Sequence, residues 1–546
     1  MRQNATEYPR PSVPVAACYA PSLRARGGED SSLRHRVWRP WFHLPAERRE
    51  VMRGWQRCLI VSSALFVGCG GAATPALQLV EDAAEAMGNL RAVSETTTLV
   101  NEGQGRTHRL GQNKSPRSDL PYYEIENYRM QIDFANERWR LRQDRTTTFL
   151  TGSPLYGVRQ TYGLDGDVAY DEQGERNVRA SERVAAERWA EMYHNPIGIV
   201  LLALDETSTV SNLREEEGQR VVDIAAANGT QFTLFVDGET GLPSKVMSSR
   251  YHPNLGDVAV ETLFEDYAET GGLGGFQARL MLPRSYTTNL DRFQLSQFRV
   301  TANPDGQVDD LAAPADARSA GPTMDTASVE VEEIVDGVWY LNGQSHHSVL
   351  VEFDEYLALI EAPQSEARTL AVIARARELQ PDKPLQYVVN THHHYDHSAG
   401  IRAAVSEGLT VITHEVNRSF FEELVARQHS IVQDALARNP QPLTIETVNG
   451  NEPYELTDGS RTMQIYRIVA DAHSDGILMA YLTRERILIE ADAYSPTSRE
   501  APFAEVLLQN IEDRELRVNT ILPLHGGVSE FEDLESAART AQELAD

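Results

Sequence analysis

Residues 390–397 read Asn390-Thr391-His392-His393-His394-Tyr395-Asp396-His397, and they directly follow the largely apolar run Leu385–Val389. The run is typical of a buried strand, so the histidines and the aspartate are expected in the loop at its end. Neutral imidazole nitrogens and carboxylate oxygens are ligands for zinc and other first-row divalent ions. The stretch therefore predicts a metal site; the alternative is a solvated histidine cluster on a surface turn.

Three later stretches share this arrangement of a short apolar strand followed by a residue type that binds metals. They are Met463–Ala470 followed by Asp471 and His473, Ile487–Glu490 followed by Asp492, and Thr520–Leu524 followed by His525. Strand ends hold loop residues rigidly, and in open α/β sheets binding sites are built at this edge. We therefore expect the four stretches to meet in one site.

Taken together, His-x-His-x-Asp-His, a distant His, an Asp and a final His resemble the signature of the metallo-β-lactamase superfamily, over about residues 330–546. The resemblance implies an α/β fold, the αββα metallo-β-lactamase sandwich. It also implies two metal ions, the first held by His392, His394 and His473, the second by Asp396, His397 and His525, with Asp492 bridging them. Two Zn2+ ions are the expected cofactors, with iron or manganese as alternatives. A hydroxide shared by two metals is a nucleophile at neutral pH, and Asp396 would orient that water or accept its proton.

A few positions differ from the superfamily pattern or are ambiguous. Glu361 stands where the family usually has Asp, and Ala491 where a Gly usually precedes the bridging Asp. The carboxylate of Glu361 can still accept a hydrogen bond from a ligand imidazole. His393 is expected to pack or to support the ligands. His346 and His347 lie in the loop between the first two strands of this region, and they are either exposed to solvent or in contact with the substrate.

The charge of the chain bears on its partners. Its 546 residues carry a formal net charge of −29, although residues 1–69 have eleven Arg against five Asp and Glu. Residues 70–546 are therefore more acidic than the whole chain. An acidic body repels phosphate backbones and anionic membrane surfaces. We therefore expect a small-molecule substrate and no nucleic-acid partner.

Residues 52–69 have the features of a secretory signal peptide. Two arginines precede the mostly apolar stretch Cys58–Val67, whose ten residues are fewer than the roughly 20 that span a bilayer. Leu65–Cys69 resembles a bacterial lipobox, so we predict export and lipid attachment at Cys69, in the periplasm or at the outer membrane. An ordinary cleaved signal and a core helix are the alternatives. Residues 1–51 are predicted to be a disordered extension or a wrongly assigned start.

The three cysteines also limit the chemistry. Cys18, Cys58 and Cys69 all lie within residues 1–69, so no later residue supplies a thiolate ligand or an internal disulfide. The lactamase subclass that uses a Cys ligand is therefore excluded. The pattern is more similar to glyoxalase II, lactonases and phosphodiesterases.

Residues 70–301 are expected to form an antiparallel β-rich domain. Alternating stretches such as Tyr128–Phe134 and Gln231–Val236 are separated by turn signals, and the rhythm resembles the curved sheets of envelope lipoproteins. A helix is predicted over Pro75–Ser94, with Thr74 as its N-cap.

The remaining domain limits follow from the composition of the chain. Residues 302–326, rich in Ala, Asp, Pro and Gly, are predicted to link the β-rich domain to a metal-binding domain over residues 327–546. Asn195–Leu204 is predicted to contain a buried helix, with a ligand-binding lid as the alternative.

The sequence favours an exported, metal-dependent hydrolase that acts on an ester, thioester, lactone, amide or phosphodiester. Two other functions stay open. An iron-dependent oxidoreductase of the same fold, similar to persulfide dioxygenases, would use the same ligand set. A non-catalytic, lipid-binding envelope lipoprotein would use the β-rich domain and keep the metal for structure.

Overall fold

The computed structural model of the chain describes residues 73–149, 157–270, 279–324, 327–498 and 501–545. The predicted signal peptide and its Cys69, together with residues 1–51, lie outside the described residues. None of the described helices has both the length and the apolar character needed to cross a bilayer.

The amino-terminal part is here called the sheet domain, and its described residues form one antiparallel sheet of thirteen strands. The strands are β1 Thr98–His108, β2 Tyr122–Asp133, β3 Arg138–Thr147, β4 Gly157–Asp165, β5 Val168–Gln173, β6 Arg176–Arg179, β7 Thr209–Glu216, β8 Gln219–Ala225, β9 Gln231–Asp237, β10 Pro243–His252, β11 Gly256–Glu269, β12 Met281–Leu290 and β13 Phe293–Pro304. Strands β1–β6 and β7–β13 form two meanders, which join where β1 pairs with β13. The prediction of an antiparallel β-rich domain is confirmed.

Among the described residues, four helices before residue 210 pack with the sheet domain. They are α1 Pro75–Ala86, α2 Leu90–Ser94, α3 Glu182–Glu191 and α4 Pro196–Leu204. Apolar residues of α1 and α4, such as Leu79 and Ile199, pack in one core with strand residues such as Trp139 and Leu234. The predicted buried helix is α4.

The single helix predicted over Pro75–Ser94 is wrong in its length. Thr74 caps α1 as expected, accepting a hydrogen bond from the Leu77 amide at 3.2 Å. The chain then turns at Gly88, whose φ of +146° favours glycine. Asn89 caps α2, accepting from the Ala92 amide at 2.7 Å, because a short polar side chain at that position satisfies a free helix amide.

The stretch 302–326 packs against the sheet where it is described. Strand β13 continues to Pro304, and α5 spans Ala315–Ser319. Ala313 and Ala317 are buried against Tyr170 of β5. The domain limits around this stretch stay predictions.

The carboxyl-terminal part contains two mixed sheets. The first has seven strands in sequential order, β14 Glu330–Val335, β15 Val338–Asn342, β16 Ser348–Glu352, β17 Leu357–Ile360, β18 Leu385–Val389, β19 Thr410–His414 and β20 Ile445–Val448. The second has six, β21 Tyr454–Thr457, β22 Thr462–Arg467, β23 Leu478–Leu482, β24 Ile487–Glu490, β25 Thr520–Pro523 and β26 Ser529–Glu530. Residues such as Val349, Ile412, Ile465 and Leu478 fill the space between the two sheets.

Helices cover the outer face of each sheet. They are α6 Glu366–Leu379, α7 Tyr395–Ser398, α8 Ile401–Ser406, α9 Arg418–Ala426, α10 Ala435–Arg438, α11 Ala504–Asp513 and α12 Phe531–Ala545, with a 3₁₀ turn at Glu415–Asn417. Val372 of α6 and Ile401 of α8 pack on the first sheet, and Leu507 of α11 and Leu534 of α12 pack on the second. The result is the predicted αββα sandwich.

Candidate metal centre

The predicted ligands follow the carboxyl ends of strands in both sheets. His392 and His394 come after β18, and α7 then carries Asp396 and His397. The other three lie in the loops after β22, β24 and β25; they are His473, Asp492 and His525. Strands β24 and β25 pair in parallel, as do β17 and β18, so within each pair the carboxyl ends lie at the same edge of the sheet.

The structure brings all seven predicted residues together in two groups. The first group is His392, His394, His473 and Asp492, and the second is His346, Asp396, His397 and His525. Within each group, one nitrogen or oxygen of every side chain lies within 4.8 Å of those of the others. The second group includes His346, which the sequence did not identify as a ligand.

Asp492 lies between the two groups. Its Oδ2 is 2.7 Å from His473 Nε2, and its Oδ1 is 3.1 Å from His397 Nε2 and 2.9 Å from His525 Nε2. Each carboxylate oxygen therefore faces a different group. Although burial acts to raise the pKa of Asp492, His397 and His473 hold it well below its ordinary value. Asp492 has the position that a bridging carboxylate would need.

The donor atoms of the first group fit a divalent cation. His392 and His394 are buried, and burial lowers the pKa of each imidazole well below its ordinary value, which favours the neutral ligand form. His392 Nε2 and His394 Nδ1 have no hydrogen-bond partner among the described residues. Buried polar atoms are rarely left in this state, and both nitrogens lie in the group that could hold an ion.

Glu361 orients one predicted ligand. It is completely buried, and its Oε2 lies 3.0 Å from His397 Nδ1, the contact expected from the sequence. Glu361 Oε1 also accepts from Asn390 Nδ2 at 2.9 Å. The φ of Glu361 is +77°, a conformation that side-chain-bearing residues seldom adopt. The hydrogen bonds of its carboxylate hold it in this position, and His397 Nε2 is left facing Asp492.

A family model described as the metallo-beta-lactamase superfamily matches residues 341–488. The carboxyl-terminal part of the chain is a metallo-β-lactamase-fold domain. No curated protein matches the chain significantly.

Solved metallo-beta-lactamase structures also resemble the chain. The protein from Pontibacter korlensis is 17% identical, with 39% of this chain and 99% of that chain covered and a TM-score of 0.31. The protein from Hirschia baltica is 16% identical, with coverages of 39% and 97% and a TM-score of 0.31. FIM-1 from Pseudomonas aeruginosa, solved in a mono-zinc form, is 16% identical, with coverages of 41% and 98% and a TM-score of 0.32.

Three other histidines of the metallo-β-lactamase-fold domain differ in role. His346 is 8% exposed and His347 is 9% exposed, so the alternative of a solvent-exposed pair is wrong. His346 Nε2 lies 3.3 Å from Asp396 Oδ2. His347 is also buried, and its Nδ1 accepts from the Gly343 amide at 3.2 Å, which stabilises the loop. His393 belongs to neither group and packs against Phe420.

The sheet domain contributes contacts that the sequence did not reveal. Gln112 Nε2 donates to Asp396 Oδ1 at 2.7 Å. The main-chain oxygen of Asn113 lies 3.0 Å from His394 Nε2. These pairs are 284 and 281 positions apart in the sequence, so no local pattern could have indicated them.

The two groups border a cavity of about 580 Å³. Residues from both the sheet domain and the metallo-β-lactamase-fold domain line it, among them Arg109, His346, Asp492, Phe503 and His525. A cavity of this size accommodates a small molecule.

Proposed function

We propose that the protein is a metal-dependent hydrolase that acts on an ester, thioester, lactone, amide or phosphodiester bond of a small molecule. The observation that carries this proposal is the position of Asp492, whose two oxygens face two groups of metal-ligand side chains. The groups border a cavity large enough for a small substrate.

Two divalent cations held by these residues would lower the pKa of water and polarise the bond to be cleaved. The chain itself would keep the imidazoles neutral and oriented, and would supply a carboxylate that takes a proton. We assign that role to Asp396. Its Oδ1 accepts a hydrogen bond from Gln112, whereas Oδ2 faces His346. Oδ2 is therefore the oxygen that remains open towards the second group.

Replacing Asp396 by Asn tests this assignment. Because the amide cannot accept the proton as a carboxylate does, kcat should fall by about 10²–10⁴-fold, while the circular-dichroism spectrum and melting temperature stay close to those of the wild type. Asp382→Asn, on an exposed turn between α6 and β18, is the matched control and should keep full activity. Undiminished turnover in Asp396→Asn would contradict the role.

A cavity lined mainly by the sheet domain, with Ile431 and Val432 of the metallo-β-lactamase-fold domain also in its wall, favours a second candidate function, the binding of a long-chain lipid. The cavity has a volume of about 440 Å³, and its walls include Tyr128, Met130 and Tyr286. Another wall residue, Phe298, stacks on Tyr128 with ring centroids 4.3 Å apart. Burial of an acyl chain against such walls would be favourable.

A fluorescent fatty acid, 11-(dansylamino)undecanoic acid, tests this second function. The wild type should bind the probe with a blue-shifted emission. Ala190→Trp, which places a large ring in the cavity wall, should weaken binding at least tenfold. If the wild type does not bind the probe, or if Ala190→Trp binds it equally well, lipid binding in this cavity is rejected.

The proposal of a metal-dependent hydrolase also includes export of the protein, with lipid attachment at Cys69 as its contact with the membrane. It rests on the sequence of residues 52–69. Mass spectrometry of the mature amino terminus is the test. A lipidated Cys69 at the terminus would support the proposal, and a native Met1 would contradict it.

A further inference from the structure

The loop between β1 and β2, residues 109–121, reaches from the sheet domain to the candidate metal centre. Two backbone hydrogen bonds fix it, from the Tyr395 amide to Gly111 O at 3.2 Å and from the Asp475 amide to Lys114 O at 2.8 Å. Gly111 lies so close to the Tyr395 ring that an added Cβ would be 2.2 Å from it. The loop is therefore held directly against α7.

Two residues of this loop act on predicted ligands. The Gln112 amide occupies Oδ1 of Asp396, which fixes the carboxylate plane and leaves Oδ2 facing His346. The Asn113 carbonyl accepts from His394 Nε2, which fixes the tautomer and leaves Nδ1 as the free nitrogen. Such contacts tune metal ligands in other proteins. In this protein they come from a separate domain.

A third residue of the loop, Arg109, faces the cavity that the two groups border. Among the described residues that line this cavity, Arg109 is the only Arg or Lys. The residue is partly buried, and its side chain makes no hydrogen bond or ion pair with another described residue.

The surroundings of Arg109 suit an oxyanion. The cavity wall also carries the hydroxyls of Ser495 and Thr497. Their oxygens lie 2.9 Å apart, so one of the two hydroxyl protons remains for a ligand. A guanidinium presents a rigid fork of donors that matches carboxylate and phosphate oxygens. A substrate with its scissile bond at the two groups would then place an anionic end at Arg109.

We propose that the 109–121 loop completes the active site, with Arg109 binding an anionic group of the substrate and Gln112 positioning Asp396. This inference rests on the proposed hydrolase function and narrows its substrates to those that carry a carboxylate or a phosphate. Arg109 is a specificity residue, and Gln112 is a positioning residue.

Kinetics with two esters test Arg109. The substrates are 4-nitrophenyl acetate, which is neutral, and the 4-nitrophenyl monoester of succinic acid, which is anionic. Arg109→Ala should lower kcat/KM for the anionic ester, relative to kcat/KM for the neutral ester, by about 10–100-fold, mainly through KM, since a charge-assisted pair is lost. Arg109→Lys should recover part of the loss. Arg117→Ala, an exposed arginine of the same loop, should match the wild type. An equal effect on both esters, or none, would overturn the assignment.

A binding measurement separates this inference from the hydrolase proposal. Isothermal titration calorimetry measures the binding of succinate, and separately of inorganic phosphate, to the zinc-loaded full chain. Arg109→Ala should weaken this binding at least tenfold. The anion that binds more tightly to the wild type identifies the anion class. If neither ester is hydrolysed by the wild type but this loss is seen, the hydrolase proposal fails and the anion site stands. Wild-type protein that binds neither anion, or a variant that binds as well, would reject the site.

Cobalt substitution tests Gln112 without relying on turnover. In Gln112→Ala, Asp396 loses its partner on Oδ1, so the visible spectrum of the cobalt-loaded protein should change and kcat should fall by about 10–100-fold with KM nearly constant. Gln112→Asn, which keeps the amide on a shorter side chain, should give an intermediate result. Gln104→Ala, on the exposed face of β1, is the control. A spectrum and kcat equal to those of the wild type would overturn the positioning role.

Discussion

Glu361 and His397 form a completely buried pair, with Glu361 Oε2 3.0 Å from His397 Nδ1. The contact leaves His397 Nε2 3.1 Å from Asp492 Oδ1. A carboxylate at the end of β17 therefore sets the direction of a side chain in the centre of the candidate site. The longer Glu, in place of the Asp usual in the superfamily, makes this contact from a backbone with a φ of +77°.

Replacing Glu361 by Gln should weaken metal binding. The amide retains the size of the side chain but reduces the polarisation of His397, so zinc affinity should fall by about 10–100-fold. Competition with a chromophoric chelator measures the change. Glu355→Gln, on an exposed turn, should bind zinc like the wild type. An unchanged affinity in Glu361→Gln would show that the pair does not support a metal ligand.

A pair of glycine variants tests the placement of the 109–121 loop. Gly111 and Gly166 have similar φ values of +70° and +60°, but only Gly111 has a neighbour, the Tyr395 ring, where a Cβ would lie. Gly111→Ala and Gly166→Ala therefore share the backbone strain and differ in the clash. Gly111→Ala should lower the free energy of unfolding by about 1–3 kcal/mol more than Gly166→Ala. Gly111→Ala should also lower kcat, because the added Cβ displaces the 109–121 loop that carries Gln112. Equal effects on stability in urea titrations would contradict this placement.

The lowered pKa of His194 predicts that the free energy of unfolding depends on pH. Burial, helped by the charge of Arg250, lowers its pKa from 6.5 to about 4. The imidazole lies 3.0 Å from Thr262 Oγ1 and 2.8 Å from Ser248 Oγ. Since the unfolded chain binds the proton more readily, this contribution to stability is fully present above pH 6.5 and is lost as the pH falls towards 4.

The variant His194→Gln isolates that contribution. Between pH 7 and pH 4.5 the free energy of unfolding of the wild type should fall by about 2–3 kcal/mol more than that of His194→Gln. Urea titrations at the two pH values measure this difference. Parallel losses in the two proteins would mean that His194 is not the group responsible.

Much of the candidate site could be predicted because its signals are local. Each apolar strand ends next to a ligand-type residue, and the parallel pairing of β24 with β25 brings Asp492 and His525 to one edge. His346 was harder to assign, because it precedes a strand and its burial depends on distant partners. No sequence pattern indicated Gln112 or Arg109, since their roles arise from contacts between domains. In the fold, the turn at Gly88 interrupts a helical pattern whose apolar spacing continues beyond it.

The metal content of the purified protein, measured by plasma mass spectrometry beside His394→Ala, tests the central claim most directly. His394→Ala removes Nδ1, which has no hydrogen-bond partner among the described residues. His414→Ala removes a histidine outside both groups and is the control. We predict about two zinc ions per chain in the wild type and in the control, and fewer in His394→Ala. Iron in place of zinc would favour the oxidoreductase alternative, and an absence of metal from all three proteins would contradict the metal-dependent hydrolase.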